Sequence, residues 1–225
     1  MSRRRFLLFG LILTAIGSLA LFADRLRRVL LRRKCPAMIS RAEWGALEPD
    51  LGAPNEHGLY DRLTNPEGWL AYPMPLAEVL RTVVVHHSAL TLSDGPREIQ
   101  DLHRQNKGFA DIAYHYLIDY DGHPYEGRSI TVRGAHVAGF NTGSVGICLL
   151  GNFEAIAPAP AQLATLKELI ACLIDEYGLT YLAGHRDFNP TETQCPGKNL
   201  EPLLPGLAAE LRLKFGTGGY APPDF

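Results

Sequence analysis

Between positions 82 and 183 the chain alternates short apolar runs with amphipathic stretches, and this alternation narrows its possible folds more than any other feature. Val83-Val84-Val85, flanked by Thr82 and His86, has the length and β-branched content of a buried strand. Ala113-Tyr114-His115-Tyr116-Leu117-Ile118 predicts a second strand, closed by the Asp121-Gly122 turn signal, and Pro124-Tyr125-Glu126-Gly127 opens its hairpin partner. Residues 145–150 predict a third strand and residues 180–183 a fourth. Ser93 or Asp94 can cap a helix over 96–105. From 162 to 177, Leu163, Leu166, Leu169, Ile170, Leu173, Ile174 and Tyr177 share one helical face before a stop at Gly178. A last helix is expected over 205–213. Strands alternating with helices imply an α/β sheet covered on its faces. Residues 47–75, rich in Pro, Gly, Asn and Asp, read as an insertion ordered by its contacts, and 216–225 as a flexible tail.

The first 34 residues stand apart from this pattern. Arg3-Arg4-Arg5 precedes 18 uncharged residues, 6–23, in an order that resembles a twin-arginine export signal. The run is also just long enough to remain as a membrane anchor. Six positive charges between Arg25 and Lys34 follow it and suit anionic head groups, so membrane association through 6–34 is expected. By the positive-inside rule the same charges favour the cytoplasmic membrane face, which is the alternative location. The arginine pair is the more specific cue, so the domain is expected on the exported side, in the cell envelope or outside it. Beyond residue 34 the chain carries 13 basic and 23 acidic residues, which argues against nucleic acid as a partner.

Four cysteines are too few for a disulfide scaffold. Cys148 and Cys172 fall on apolar strand and helix patterns and read as buried free thiols. Cys35 lacks a lipoprotein-like apolar approach. Chemistry gathers instead at strand ends: His86 and His87 close the first run, His185 the fourth, and Cys195 follows ten residues later. Two imidazoles and a thiolate suit tetrahedral zinc, and three protein ligands leave a fourth position open, as in catalytic sites. On spacing alone, packed histidines and a small buried cysteine remain the alternative reading.

Longer local motifs carry a resemblance. Ile39-Ser40-Arg41-Ala42-Glu43-Trp44-Gly45, Val84-Val85-His86-His87-Ser88, Ala113-Tyr114-His115-Tyr116, Gly134-Ala135-His136, Asn141-Thr142-Gly143-Ser144, Gly151-Asn152-Phe153, and Gly184-His185-Arg186-Asp187 through Cys195-Pro196-Gly197 occur in one order. In that order they resemble the peptidoglycan recognition protein and type 2 N-acetylmuramoyl-L-alanine amidase family, over roughly 38–205. The resemblance implies a central mixed β-sheet flanked by helices in a single domain, spanning 35–215. It implies a Zn2+ hydrolase cutting the amide between N-acetylmuramic acid and L-alanine in peptidoglycan or muropeptides, acting as a monomer. His86, His185 and Cys195 match the metal ligands, Tyr114 the tyrosine facing the reacting water, and Thr193 a catalytic-side position. His136 and Asn141 match substrate contacts, as do His103 and Lys107 at a further position. Two departures stand out: the His185-to-Cys195 gap and the 47–75 segment are both longer than the family's usual. Glu126 is expected to pair with Arg128 or hold the hairpin rather than act as a base. Members without the cysteine ligand bind muropeptides without cutting them, so a non-catalytic binding module is the alternative; this chain keeps Cys195.

Overall fold

Two strands are buried along their whole length, β1 (Thr82–His87) and β4 (Ser144–Leu149), and they pair in parallel with Val85 opposite Ile147 and His86 opposite Cys148. Their β-branched and apolar side chains must be covered on both faces, and they form the centre of the sheet. β5 (Tyr181–Gly184) flanks β1 in parallel, and β2 (Tyr116–Ile118) flanks β4 in parallel. β3 (Pro124–Glu126) runs antiparallel beside β2, while β6 (Lys214–Phe215) joins β5, giving the order β3-β2-β4-β1-β5-β6. In this computed structural model the described residues are 35–218, 220 and 222. The expected export or anchor segment, 1–34, lies outside them; among the described residues no helix is long and apolar enough to cross a membrane.

Side-chain alternation along β1 and β4 builds two layers. Val83, Val85, Val145, Ile147 and Leu149 pack with Leu166, Leu169, Ile170 and Leu173 of the long helix Pro160–Tyr177. The opposite face carries Cys148 with Leu117, Ile112 and Ile99, the last from helix Pro96–Lys107. In chain order the helices are α1 (Leu76–Val79), α2 (Pro96–Lys107), α3 (Pro160–Tyr177), α4 (His185–Phe188) and α5 (Leu204–Glu210). This is the expected mixed sheet flanked by helices.

The differences from expectation have local causes. α3 starts at Pro160, whose fixed φ suits a first helical turn. β2 is shorter than the apolar run because the carbonyls of Ala113, Tyr114 and His115 accept from Ala135, Arg128 and Gly127 at 3.1, 2.8 and 2.8 Å. His185 does not end the fourth strand; it opens α4, with the Asp187 carboxylate accepting from Gly184 N–H at 2.7 Å. α5 ends at Glu210, and the chain then adds β6. Beyond Gly216 the chain is held at Tyr220, whose hydroxyl donates to the Thr142 carbonyl at 2.7 Å.

Cys172 is not a free thiol. It lies on α3 with its Cα 5.2 Å from that of Cys35 and forms a disulfide with it, whereas Cys148 and Cys195 are free and buried. A pairing across 137 residues leaves no local trace in sequence.

Candidate metal centre

His86 leaves β1 on the face away from α3, fully buried. Its Nδ1 lies 3.6 Å from Cys195 Sγ, and its ring centroid lies 4.7 Å from that of His185. The three ligand-type atoms of His86, His185 and Cys195 all fall within 4.8 Å of one another. Backbone hydrogen bonds bring the late residues there: Arg186 N–H donates to the Cys195 carbonyl at 2.9 Å, tying the long loop back to α4. Cys195 N–H donates to Thr193 Oγ1 at 3.1 Å, and His87 N–H donates to Cys195 Sγ at 3.4 Å.

Burial holds these groups in uncharged forms. It drives His86 well below the ordinary histidine value, with neighbouring histidines adding to the effect, and takes His185 down to about 4. Burial pushes the Cys195 thiol up to about 12, opposed by the His87 N–H. Two neutral imidazoles are ready donors, while a thiol so buried ionises only against a cation placed beside it. The donor set therefore fits zinc. The other cluster of ligand-type side chains among the described residues, Cys35, Cys172 and Glu176, is accounted for by the disulfide.

His136 stands on the wall of the groove and also against the cluster. It is 6% exposed, and its Nδ1 lies 3.1 Å from His86 Nε2. With His86 Nδ1 turned to Cys195, the His86 proton belongs on Nε2, donated to His136 Nδ1. His136 then carries its own proton on Nε2, which is buried without a partner. Its ring fits only because positions 134 and 146 are glycine: a Cβ there would lie 2.4 and 2.5 Å from His136 Cδ2. Asn141 Oδ1 accepts from the His136 and Val137 N–H groups at 2.7 and 2.8 Å, fixing this loop.

Tyr114 stands beside the cluster, its ring 5.0 Å from His86 and 5.3 Å from His103. Burial raises its hydroxyl well above the ordinary tyrosine value, and the nearby Cys148 and Cys195 sulfurs add to this, so it stays protonated. His103 Nδ1 accepts from Ala113 N–H at 3.0 Å, and burial takes it to about 4.

Two cavities open on the cluster. The larger, of about 730 Å³, is lined by His103, Lys107, His136 and Asn141 together with Arg133 and, from the 47–75 insertion, Asn55, Glu56 and Glu67. The smaller, of about 510 Å³, lies toward Cys195, Asn152 and Glu154. Tyr114, His185, Glu192 and Thr193 line both.

Residues 76–198, more than half of the chain, match the N-acetylmuramoyl-L-alanine amidase family. Over 176 residues the chain is 34% identical to peptidoglycan-recognition protein SD of Drosophila simulans, covering 74% of this chain and 83% of the relative. The chain belongs to the peptidoglycan recognition protein and type 2 amidase family. Solved structures of the family agree with its fold. The endolysine N-acetylmuramoyl-L-alanine amidase LysCS from Clostridium intestinale superposes with a TM-score of 0.59 at 27% identity, over 81% of this chain and 99% of that one. Peptidoglycan recognition protein-LE in complex with tracheal cytotoxin, a monomeric diaminopimelic acid-type peptidoglycan, superposes with a TM-score of 0.60 at 26% identity, over 79% and 96%. The family thus contains both amidases and recognition proteins.

Within this family member, every sequence-identified site residue lies at the cluster or along the larger cavity. Glu126 lies elsewhere and does not pair with Arg128: it accepts from Arg41 N–H at 3.3 Å. Arg128 instead makes a two-pronged ion pair with the buried Glu56, at 2.5 and 2.7 Å. Sequence reasoning passed over Glu56, Glu67, Arg133 and Glu192. Glu192 alone had a signal, in the extra length of the loop before Cys195.

Proposed function

We propose that the chain is a zinc-dependent N-acetylmuramoyl-L-alanine amidase that hydrolyses the bond between N-acetylmuramic acid and L-alanine in peptidoglycan or muropeptides. The observation that carries this reading is the convergence of His86 Nδ1, His185 and Cys195 Sγ, with Tyr114 and Thr193 alongside, where two cavities meet. These three residues would hold the metal, and when bound it would polarise the scissile carbonyl and make water a competent nucleophile near neutral pH. The Tyr114 hydroxyl keeps its proton and serves as donor to the oxygen on which charge develops. Thr193 Oγ1 already accepts from Cys195 N–H, so its hydrogen remains to orient water or substrate from the other side. His136 keeps the His86 proton on Nε2 and so its Nδ1 lone pair free for the metal. Asn141, His103 and Lys107 contact substrate along the larger cavity.

Residues 35–215 form the catalytic domain, acting as a monomer on the exported side, with 1–34 as its export signal or anchor. The Cys35–Cys172 disulfide supports that location, because such bonds persist in oxidising compartments. The binding-only reading is disfavoured by the complete ligand set. Incubating the purified chain with peptidoglycan tests the proposal: new amino-terminal alanine without new reducing sugar, abolished by a chelator and restored by zinc, is the expected result. New reducing ends, or full activity without metal, would refute it.

A further inference from the structure

We propose that Tyr220, near the end of the chain, is a positioning residue for the candidate metal centre: its ring clamps the loop that carries His136 and Asn141 against α4, which carries His185. The consequence for catalysis rests on the amidase reading above; the clamp itself does not.

The chain leaves the sheet at Gly216, whose N–H donates to the Leu182 carbonyl of β5 at 2.9 Å, and Tyr220 N–H closes a turn on the Thr217 carbonyl at 3.0 Å. The Tyr220 side chain then packs against the buried group of Val84, Val137, Ala183 and Phe188. Val84 and His86 are two residues apart on β1 and point to the same side of the sheet, so the ring lies on the side that holds the cluster.

Three aromatic rings meet there. Tyr220 stands edge-on to Phe140 at 5.3 Å and to Phe188 at 5.5 Å, and these two rings lie 4.9 Å from each other. The Tyr220 hydroxyl donates to the Thr142 carbonyl at 2.7 Å, while the next N–H, of Gly143, donates to the Tyr72 hydroxyl at 3.1 Å. The 140–143 turn is thus held by one tyrosine from before β1 and another from the end of the chain.

Both phenylalanines are one step from the site. Phe140 precedes Asn141, whose Oδ1 fixes the His136 backbone, and His136 meets His86 Nε2 at 3.1 Å. Phe188 ends α4, which His185 begins. Four residues make too few backbone hydrogen bonds to hold a helix in place, so the position of α4 depends on what Phe188 packs against. His136, Asn141, His185 and the adjoining Asn189 all line the larger cavity, whereas Tyr220 lines neither cavity. Changing Tyr220 therefore removes no contact with substrate or metal, and its effect on the site travels through the two phenylalanines.

The test compares the full chain with Tyr220→Ala, Tyr220→Phe and, as a control that removes core packing beneath α3, Ile174→Ala. In hydrogen exchange of the zinc-loaded proteins, Tyr220→Ala is expected to speed the amides of residues 136–144 and 185–189 about tenfold, the scale of the lost aromatic pairs. Retained protection in β1 and β4 shows that the variant folds. Zinc affinity in chelator competition should fall about tenfold. Tyr220→Phe, which keeps the ring and loses only the bond to Thr142, should recover most of both effects, and Ile174→Ala should show neither. Unchanged exchange in either segment, unchanged zinc affinity, no recovery in Tyr220→Phe, or equal changes in Ile174→Ala would each overturn the clamp. At saturating zinc, Tyr220→Ala should raise the KM for muropeptides about tenfold and change kcat less than about threefold, because a loosened wall lowers the fraction of the chain competent to bind. No cleavage by the unchanged chain, with exchange and zinc affinity behaving as expected, overturns the amidase reading alone; cleavage with unchanged exchange in Tyr220→Ala overturns the clamp alone.

Discussion

Tyr114 and His136 each place a ring 5.0 Å from that of His86, yet the structure separates their roles. Tyr114 offers a buried hydroxyl that stays protonated, and it is not one of the three ligand-type residues of the cluster. Tyr114→Phe is therefore expected to keep metal and fold while turnover falls about a hundredfold, or about 2.7 kcal/mol, as for one lost oxyanion donor. Steady-state kinetics with a parallel zinc determination check this. His136 acts through His86 instead, 3.1 Å away. His136→Ala should weaken zinc about tenfold to a hundredfold in chelator competition, because the His86 Nε2 proton loses its acceptor. His136→Asn, which returns an acceptor near the Nδ1 position, should recover part of the loss; equal zinc affinity in all three proteins would leave His136 a plain groove residue. The three candidate ligands were readable from motif order. The role of His136 was not, because it depends on two glycines, 134 and 146, that clear space only once strand and loop are brought together.

At the scale of elements, the 47–75 insertion matters most. Its composition shows only that it is not a helix or a central strand. The structure shows it pinned to the domain by Glu56, which holds Arg128 and accepts from Ala110 N–H at 2.9 Å. Arg128 also lies over Trp69, 4.8 Å from the ring centroid, and donates to the Ile112 carbonyl at 2.8 Å. Glu56→Ala leaves a buried guanidinium without its anion and is expected to destabilise the protein by about 3 kcal/mol. The same change should raise the KM for muropeptides, since the insertion supplies one wall of the larger cavity. Chemical denaturation and substrate titration measure the two effects, and an unchanged denaturation midpoint would refute the first. The strands and the long helix were legible because period and burial agree in them. The short α4 was not, since four residues carry no period, and Asp187 acts on the backbone only in the folded turn.

The whole molecule should be sensitive to acid and to reduction. His103 and His115 are both held at about 4 by burial, below the ordinary value of 6.5. The unfolded chain therefore binds protons that the folded chain refuses between these values, so stability is full above about pH 6.5 and declines as pH falls toward 4. At pH 5 the loss is expected to be about 2 kcal/mol for each histidine, and urea unfolding at pH 7 and pH 5 measures it. His103→Gln and His115→Gln should each flatten the dependence. The Cys35–Cys172 bond closes a loop of most of the domain, with a sequence separation of 137. Its reduction, or Cys172→Ser, should lower stability by about 2–5 kcal/mol. Equal melting of oxidised and reduced protein would show that the two thiols are not joined.

Sequence by itself determined the order of β1 to β5 with α2, α3 and α5, the family, and the three side chains of the candidate metal centre. Each is carried by residues close together along the chain or by motifs whose order survives without coordinates. Tertiary structure alone decided the partners. Cys35 found Cys172, Arg128 took Glu56 rather than Glu126, and His136, on the groove wall, met His86. The physical reason is shared: a buried hydrogen bond, ion pair or disulfide joins groups that are near only after β1, β4 and α3 have packed, and burial then sets their protonation.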